Sequence, residues 1–127
     1  MRFEELELNI MKWANNKDLI TKDNEYQQYA KFLEEGTEIL VAINKLNKIR
    51  AKASDLDMTD NFQVMAHNEE LNKAEIELMD AYGDTLVTLI ISAVQHDLLL
   101  LPCLELAWNE IKNRTGKTVN GTFIKDK

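Results

Sequence analysis

The scarcity of turn-forming residues constrains the fold of this chain more than any other feature. Only four glycines and one proline occur among 127 residues, which is too few for the many turns of a β-sandwich or β-barrel. Hydrophobic residues make up 45% of the chain and charged residues 29%, a globular composition that can supply a core. The sequence therefore predicts a single all-α domain covering residues 1–127.

Apolar residues repeat at helical spacing along most of the chain, which predicts a bundle of four to five helices. The expected helices cover residues 3–15, 25–50, 69–97 and a fourth stretch from Pro102 to a stop at Gly116, with 51–68 as a connector that contains one helical turn near 62–66. The fourth helix is expected to bury a stripe of Leu104, Ala107, Trp108 and Ile111.

A short C-terminal β-hairpin is predicted after the last helix. Asn120 and Gly121 lie between two short β-prone runs, which is the pattern of a two-residue type I′ turn. A lone hairpin is only marginally stable in water, so this one is expected to pack against the bundle or against a partner.

Charge and apolar patterning predict a cytoplasmic protein. A formal net charge of −7 disfavours binding to a nucleic-acid polymer through its phosphates. The first residues lack the charged and apolar pattern of a secretory signal, and polar residues interrupt the apolar run 86–101, which is shorter than the roughly 20 residues of a membrane span. The single cysteine, Cys103, is expected to be a buried small hydrophobe in a reducing compartment. We therefore expect neither a membrane nor a nucleic-acid polymer as partner.

Two stripes of acidic residues lie on helix faces that become apolar further along. The second predicted helix carries, at three- and four-residue spacing, Gln28, Lys31, Glu35 and Glu38. On the third helix Asp80 and Asp84 are one turn apart, although aspartate is a poor residue for the middle of a helix. Each charged carboxylate that faces the interior of a bundle destabilises the fold by several kcal/mol, unless it pairs with a cation or takes up a proton.

Spacing alone leaves three interpretations of these stripes open. The carboxylates form a hard oxygen site for Mg²⁺ or Mn²⁺, they belong to buried salt-bridge networks, or they are a solvated face. A di-iron bundle would need Glu-x-x-His pairs, and no glutamate lies three residues before His67 or His96. Both histidines are therefore expected to be surface or connector residues.

The acidic residues resemble the motifs of the MazG-like, all-α nucleoside triphosphate pyrophosphohydrolases. Members carry Glu-Glu-x-x-Glu on one helix, and residues 34–38, Glu-Glu-Gly-Thr-Glu, are similar to it, with Gln28-x-x-Lys31 before them. In the second family motif, Glu-x-x-Asp, the match is Asp84, whereas Ala81 stands at the glutamate position and Asp80 is the candidate substitute. The stretch 107–123 also resembles small phage-type and bacterial members.

The resemblance implies a fold, an activity and a metal. The fold would be the all-α NTP pyrophosphatase bundle, and the reaction would be cleavage of a nucleoside triphosphate, often a deoxynucleotide or a non-standard one, into the monophosphate and pyrophosphate. Mg²⁺, with Mn²⁺ as an alternative, would be held by Glu35, Glu38, Asp80 and Asp84. Glu34 would orient or deprotonate the attacking water, or else be a salt-bridged surface glutamate.

Candidates for substrate contacts come from two parts of the sequence. Three basic residues near the C-terminus would clamp phosphate oxygens, or alternatively complement the dipole at the end of the fourth helix. The full set of candidates is Gln28, Lys31, Asn109, Lys112, Arg114 and Lys117. The aromatic residues Trp13, Phe32 and Trp108 are expected in the core more than as base-stacking platforms.

The expected assembly is a homodimer or a dimer of dimers. A single layer of helices cannot cover both the apolar second half of the third helix and a nucleotide cleft, and the hairpin is expected to reach a neighbouring subunit. The main rival to the enzyme is a catalytically inactive acidic helical bundle that binds nucleotide or serves as an interaction module.

Overall fold

The chain folds into four α-helices followed by a two-stranded hairpin. The computed structural model describes residues 1–127, apart from the side chain of Lys22, and is 75% helical. The elements are α1 Phe3–Asn16, α2 Glu25–Ala51, α3 Asn61–Gln95, α4 Leu100–Ile111, β1 Gly116–Val119 and β2 Thr122–Lys125. The prediction of a mostly helical fold with a C-terminal hairpin is therefore confirmed.

Helices α2 and α3 are antiparallel and form the largest contact of the fold. Ion pairs join Lys45 of α2 to Glu77 (2.7 Å) and Lys52, just after α2, to Glu70 (3.6 Å), so the end of α2 meets the first half of α3. The buried residues beside these pairs are Leu46, Ile49 and Ala74, with Leu71 and Leu78 packed against them. The same register continues along both helices and decides which acidic residues face each other.

Helix α3 begins well before residue 69, so the predicted connector is wrong beyond Asp60. The Asp60 carboxylate accepts hydrogen bonds from the backbone N–H of Phe62 (3.0 Å) and of Gln63 (3.2 Å), which caps the helix. The polar residues of 61–68 mostly lie on the exposed face of this long helix. His67, expected on the surface or in the connector, is instead buried on α3.

Helix α4 leaves the end of α3 at an angle of 97°. Asp97 makes the turn with a left-handed φ of 59°, which aspartate tolerates better than most residues. Glu7 of α1 is only 2% exposed and accepts a hydrogen bond from the backbone N–H of Leu100, one of the free amides that begin α4. Of the helices described, none alone is long and apolar enough to cross a membrane. Only α3 and α4 taken together, as a bent pair, reach the length and apolar composition of a membrane span.

The hairpin has the predicted turn. Val119 pairs with Thr122 across the strands, and Asn120 and Gly121 have φ angles of 51° and 78°, as a type I′ turn requires. Gly116 does not end a helix, because α4 stops at Ile111 and Gly116 is the first residue of β1. A Cβ at Gly116 would collide with the backbone oxygen of Ile124, so this glycine allows the hairpin to close.

The C-terminal part of the chain exposes a large apolar surface. The expected burial of the α4 stripe is wrong for a single copy, since Trp108 is 58% exposed and the rest of the helix beyond Leu101 is exposed as well. Cys103 is also exposed rather than buried. The accessible surface is 9922 Å², whereas a compact monomer of 14.7 kDa has roughly 6,900 Å². About 3,000 Å² is therefore surface that one copy does not cover.

The cap of α3 gives a first test of the fold. Replacing Asp60 by alanine removes the carboxylate oxygen that accepts from two of the first amides of α3, and we expect the free energy of unfolding to fall by about 1 kcal/mol. Urea denaturation followed by circular dichroism measures this. Asp55→Ala, which removes the same charge from an exposed residue of the preceding 3-10 turn, is the control and should change stability far less; equal losses would contradict the cap.

Candidate functional site

The antiparallel register of α2 and α3 brings the two acidic stripes to the same place. Glu35 on α2 and Asp84 on α3 line one cavity, and Glu38 and Asp80 line a second cavity that Asp84 also borders. Only Glu35 is buried among these four; the others are exposed. The acidic residues that sequence spacing singled out therefore meet at one junction between the two longest helices.

Glu35 is the central residue of this junction. It is 9% exposed, and its Oε1 forms an ion pair with the Lys31 ammonium one turn earlier at 3.2 Å. Its Oε2 is buried and has no hydrogen-bond partner among the described residues. An unsatisfied buried acceptor costs about 1–3 kcal/mol, and more when it is charged. A cation or a donor placed at this oxygen would therefore be strongly stabilised.

The charge of Glu35 acts on its neighbours. The neighbouring Glu35 carboxylate raises the pKa of Glu38 above the usual range for glutamate, because it is an acceptor for the proton of a protonated Glu38 and because the two negative charges repel each other. Burial raises the pKa of Asp84, and the charges of Asp80 and Glu35 add to that effect. Hydrogen bonds to Glu35 and Glu34 raise the pKa of Lys31. Negative charge concentrated between α2 and α3 contributes to all three pKa shifts.

The larger cavity beside Glu35 is mostly apolar and has a volume of about 490 Å³. We call it the apolar cavity. Its apolar wall consists of Trp13, Leu19, Val87 and Ile91. Its polar end is formed by Gln28 and Lys31 together with Glu35 and Asp84. A cavity of this size that joins an apolar wall to a few polar groups has the usual make-up of a small-molecule site.

A second cavity lies on the other side of Asp84 and has a volume of about 300 Å³. We call it the acidic cavity, because Glu38, Asp80, Asp84 and Glu77 line it beside Lys45. The Lys45 ammonium is paired with Glu77 at 2.7 Å. Asp84 borders both cavities, so the carboxylates lie on the boundary between the two.

The remaining predicted site residues line neither of the two cavities. Glu34 is exposed and bonded to the Lys31 ammonium at 3.3 Å. The C-terminal candidates are exposed and line neither cavity, and the Lys112 ammonium donates to Asn109 Oδ1 at 3.1 Å. The structure thus places six of the predicted residues along the two cavities, Gln28, Lys31, Glu35, Glu38, Asp80 and Asp84. Glu34 joins them through its ion pair with Lys31, and Asn109, Lys112, Arg114 and Lys117 lie apart.

Sequence reasoning missed some residues of the apolar cavity. Thr88 and Gln27 line it; Thr88 is one turn after Asp84, so helical spacing could have indicated it. Leu19 lies between α1 and α2, where no periodicity marks it. Trp13, expected in the core, is 50% exposed and lines the cavity, while Phe32 is half-buried.

No protein-family model, curated protein or solved structure matches the chain. Within the described residues, no three histidine, cysteine, aspartate or glutamate side chains already surround a common point as a metal centre. The acidic junction itself therefore carries the functional argument, through its burial, its charge and the two cavities that it separates.

Glu35→Gln tests the unpaired carboxylate. Without divalent ions, we expect the variant to unfold at the same temperature as the parent or a higher one, because a neutral amide replaces a buried carboxylate that has one unpaired oxygen and lies beside like charges. The amide oxygen can still accept from Lys31. Mg²⁺ or Mn²⁺ should raise the melting temperature of the parent but not of the variant.

The matched control is Glu34→Gln, because Glu34 also bonds Lys31 but is exposed. This variant should keep the metal-induced rise in melting temperature. A parent protein that neither ion stabilises, or a Glu35→Gln variant that is much less stable without metal, would contradict this account of the carboxylate.

Proposed function

We propose that the protein is a Mg²⁺-dependent nucleoside triphosphate pyrophosphohydrolase of the MazG-like type. It would cleave a ribo- or deoxynucleoside triphosphate between the α and β phosphates and release the monophosphate and pyrophosphate. The observation that carries this proposal is the buried Glu35 carboxylate with one unpartnered oxygen, at the junction of an apolar and an acidic cavity. A nucleotide has the same two parts, a largely apolar base and a polyanion that travels with divalent ions.

Charge balance at the junction supports a divalent ion as the missing partner. Lys31 is bonded to Glu35, while Lys45 is already paired with Glu77. Carboxylate oxygens are the ligands that Mg²⁺ and Mn²⁺ prefer. The residues that would hold the metal are Glu35, Glu38, Asp80 and Asp84. When bound, such ions offset phosphate charge and lower the pKa of an attacking water.

The side chains of the apolar cavity suit the nucleoside part of the substrate. Trp13 lines this cavity beside the apolar side chains of Leu19 and Val87 and would be the aromatic residue against which a base stacks. Gln28 and Lys31 supply hydrogen-bond donors between the apolar wall and the carboxylates. Glu34 is held by Lys31, so a role in orienting or deprotonating the attacking water requires that this ion pair open.

We also propose that the protein is a homodimer or a dimer of dimers, because the basic C-terminal segment of one copy contacts neither of its own cavities. Residues 109–127 contain five basic and two acidic residues, whereas residues 1–108 contain ten basic and twenty acidic ones. The uncovered area of about 3,000 Å² per chain, or about 6,000 Å² for two chains, is at the upper end of what obligate interfaces bury. Lys112, Arg114 and Lys117 would then reach phosphate oxygens at the junction of a neighbouring copy.

A catalytically inactive nucleotide-binding or interaction module is the second candidate. Ala81 favours it, because its methyl group lines the acidic cavity at the position where the related motif has a glutamate. With one carboxylate fewer, the junction could bind a nucleotide with its metal yet fail to activate water. Both candidates are expected to bind a nucleotide, but only the hydrolase is expected to cleave it.

Product analysis separates them. Incubation of the purified protein with a panel of NTPs and dNTPs plus Mg²⁺ or Mn²⁺ should yield a monophosphate and pyrophosphate from at least one substrate. Glu38→Gln should lower kcat/KM by at least about 100-fold while circular dichroism shows an intact fold, because it removes a metal ligand and little volume.

Glu69→Gln is the control, since Glu69 is exposed on α3 and lines neither cavity. It should leave turnover unchanged. A fully active Glu38→Gln variant would show that the metal ligands are misplaced, and no turnover with any nucleotide at high protein concentration would favour the inactive module.

The assembly is tested by native mass spectrometry at micromolar concentration. We expect dimers or tetramers, and we expect Trp108→Glu to shift them toward monomer, because it puts a charge on the exposed apolar face of α4. Tyr26→Glu, which puts the same charge on an exposed aromatic residue at the start of α2, is the comparison. A parent that is only monomeric would overturn the assembly and leave the basic segment without a site.

A further inference from the structure

Gln95, the last residue of α3, holds the chain segment between α1 and α2. It is 8% exposed, and its side-chain Nε2 donates to the backbone oxygens of Leu19 (3.3 Å) and Thr21 (3.1 Å) and contacts the Asn24 side-chain oxygen. Asn24 in turn donates to the Leu19 oxygen at 3.2 Å. One buried amide therefore ties residues 19–24 to the end of a helix more than seventy positions away in sequence.

The segment that Gln95 holds forms part of the apolar cavity. The Leu19 side chain lines that cavity opposite Val87, Thr88 and Ile91 of α3, and Gln95 follows these residues on the same helix. The Leu19 N–H also bonds the Ala14 oxygen at 3.0 Å, which connects the segment to the last turn of α1, next to Trp13. The Leu19 part of the cavity wall is therefore held from two sides, by the hydrogen bonds of Gln95 and by the last turn of α1.

We infer that Gln95 is a positioning residue that fixes the width of the apolar cavity and thereby which nucleobases the cavity accepts. The inference rests on the proposed function, because it assigns the apolar cavity to the nucleoside. Gln95 lies outside both cavity linings and away from the carboxylates. Its influence is therefore expected on substrate binding and selectivity, with little effect on the chemical step.

The neighbouring residue provides a matched control. His96 Nε2 is paired with Glu25 Oε2 at 3.0 Å and its Nδ1 is 2.9 Å from the Ser92 oxygen, so it joins α3 to the start of α2 at the same end of the bundle. It makes no hydrogen bond to Leu19 or Thr21 among the described contacts, and it lines neither cavity. His96→Gln thus loosens the same junction without releasing the cavity wall.

The test compares Gln95→Glu with this control. The glutamate has the same size, but its carboxylate has no N–H and faces the oxygens of Leu19 and Thr21. We expect faster hydrogen exchange of the amides of residues 19–24, a KM for the preferred dNTP raised by roughly 10-fold, and a kcat close to that of the parent. The ratio of kcat/KM between purine and pyrimidine dNTPs should move toward one, and His96→Gln should change none of these values.

Leu19→Ala keeps the inference testable if Gln95→Glu does not fold. It leaves the backbone oxygens that Gln95 binds in place and removes only the side chain from the cavity wall. It should reproduce the rise in KM and the loss of selectivity while hydrogen exchange stays as in the parent. Unchanged KM and selectivity in Leu19→Ala, or in a folded Gln95→Glu variant with released amides, would overturn the inference and leave the hydrolase function standing.

If the parent protein shows no turnover, isothermal titration calorimetry tests the inference by measuring the affinity for nucleotide analogues. The probes are α,β-imido analogues of dATP and dCTP with Mg²⁺. If the parent binds one analogue and Gln95→Glu binds it roughly 10-fold more weakly, the inference holds although the hydrolase function fails. Equal affinity in both proteins, or no binding of either analogue by the parent, overturns it.

Discussion

The antiparallel contact between α2 and α3 is the interaction on which the rest of the structure depends. Leu46, Ile49 and Ala74 are buried where the two helices meet, and the Lys45–Glu77 ion pair lies beside them in the same register. Extended along the helices, this register places Glu35 near Asp84. A shift of one residue would rotate one stripe by about 100° away from the other, so apolar packing in one half of the contact sets the geometry of the acidic junction in the other half.

Periodicity predicted the parts of the fold that local chemistry determines. The limits of α1 and α2, the type I′ turn at Asn120-Gly121 and the two acidic stripes follow from spacing and turn chemistry within a few residues of sequence. The start of α3 did not follow, because residues 61–68 carry few apolar side chains and the decisive signal was the Asp60 cap, a single residue whose carboxylate satisfies two backbone amides.

Long-range contacts account for what sequence reasoning missed. His67 is buried and Trp13 lines a cavity because of packing between elements, which no periodic pattern records. Leu19 enters the cavity wall through hydrogen bonds to Gln95, far away in the sequence. The stripe of α4 is apolar, as predicted, but it is exposed in one copy of the chain. Helical spacing shows that a surface is apolar and does not show whether the same chain covers it.

Part of the excess of acidic residues in this chain is concentrated between α2 and α3. Glu35, Glu38, Asp80 and Asp84 lie at one junction, where the Glu35 carboxylate raises the pKa of Glu38 and burial, with repulsion from Asp80 and Glu35, raises the pKa of Asp84. The basic C-terminal segment stays exposed. Repulsion of this kind destabilises the protein by itself and favours binding of a cation. The same charges that disfavour a nucleic-acid polymer would then recruit a nucleotide through its metal.

A crystal soaked with Mn²⁺ and an α,β-imido nucleoside triphosphate would test this account most directly, through the anomalous scattering of the metal. The account predicts an anomalous peak between α2 and α3 with Glu35 among its ligands and the base in the apolar cavity. Manganese bound elsewhere, or a nucleotide bound away from the acidic junction, would contradict it.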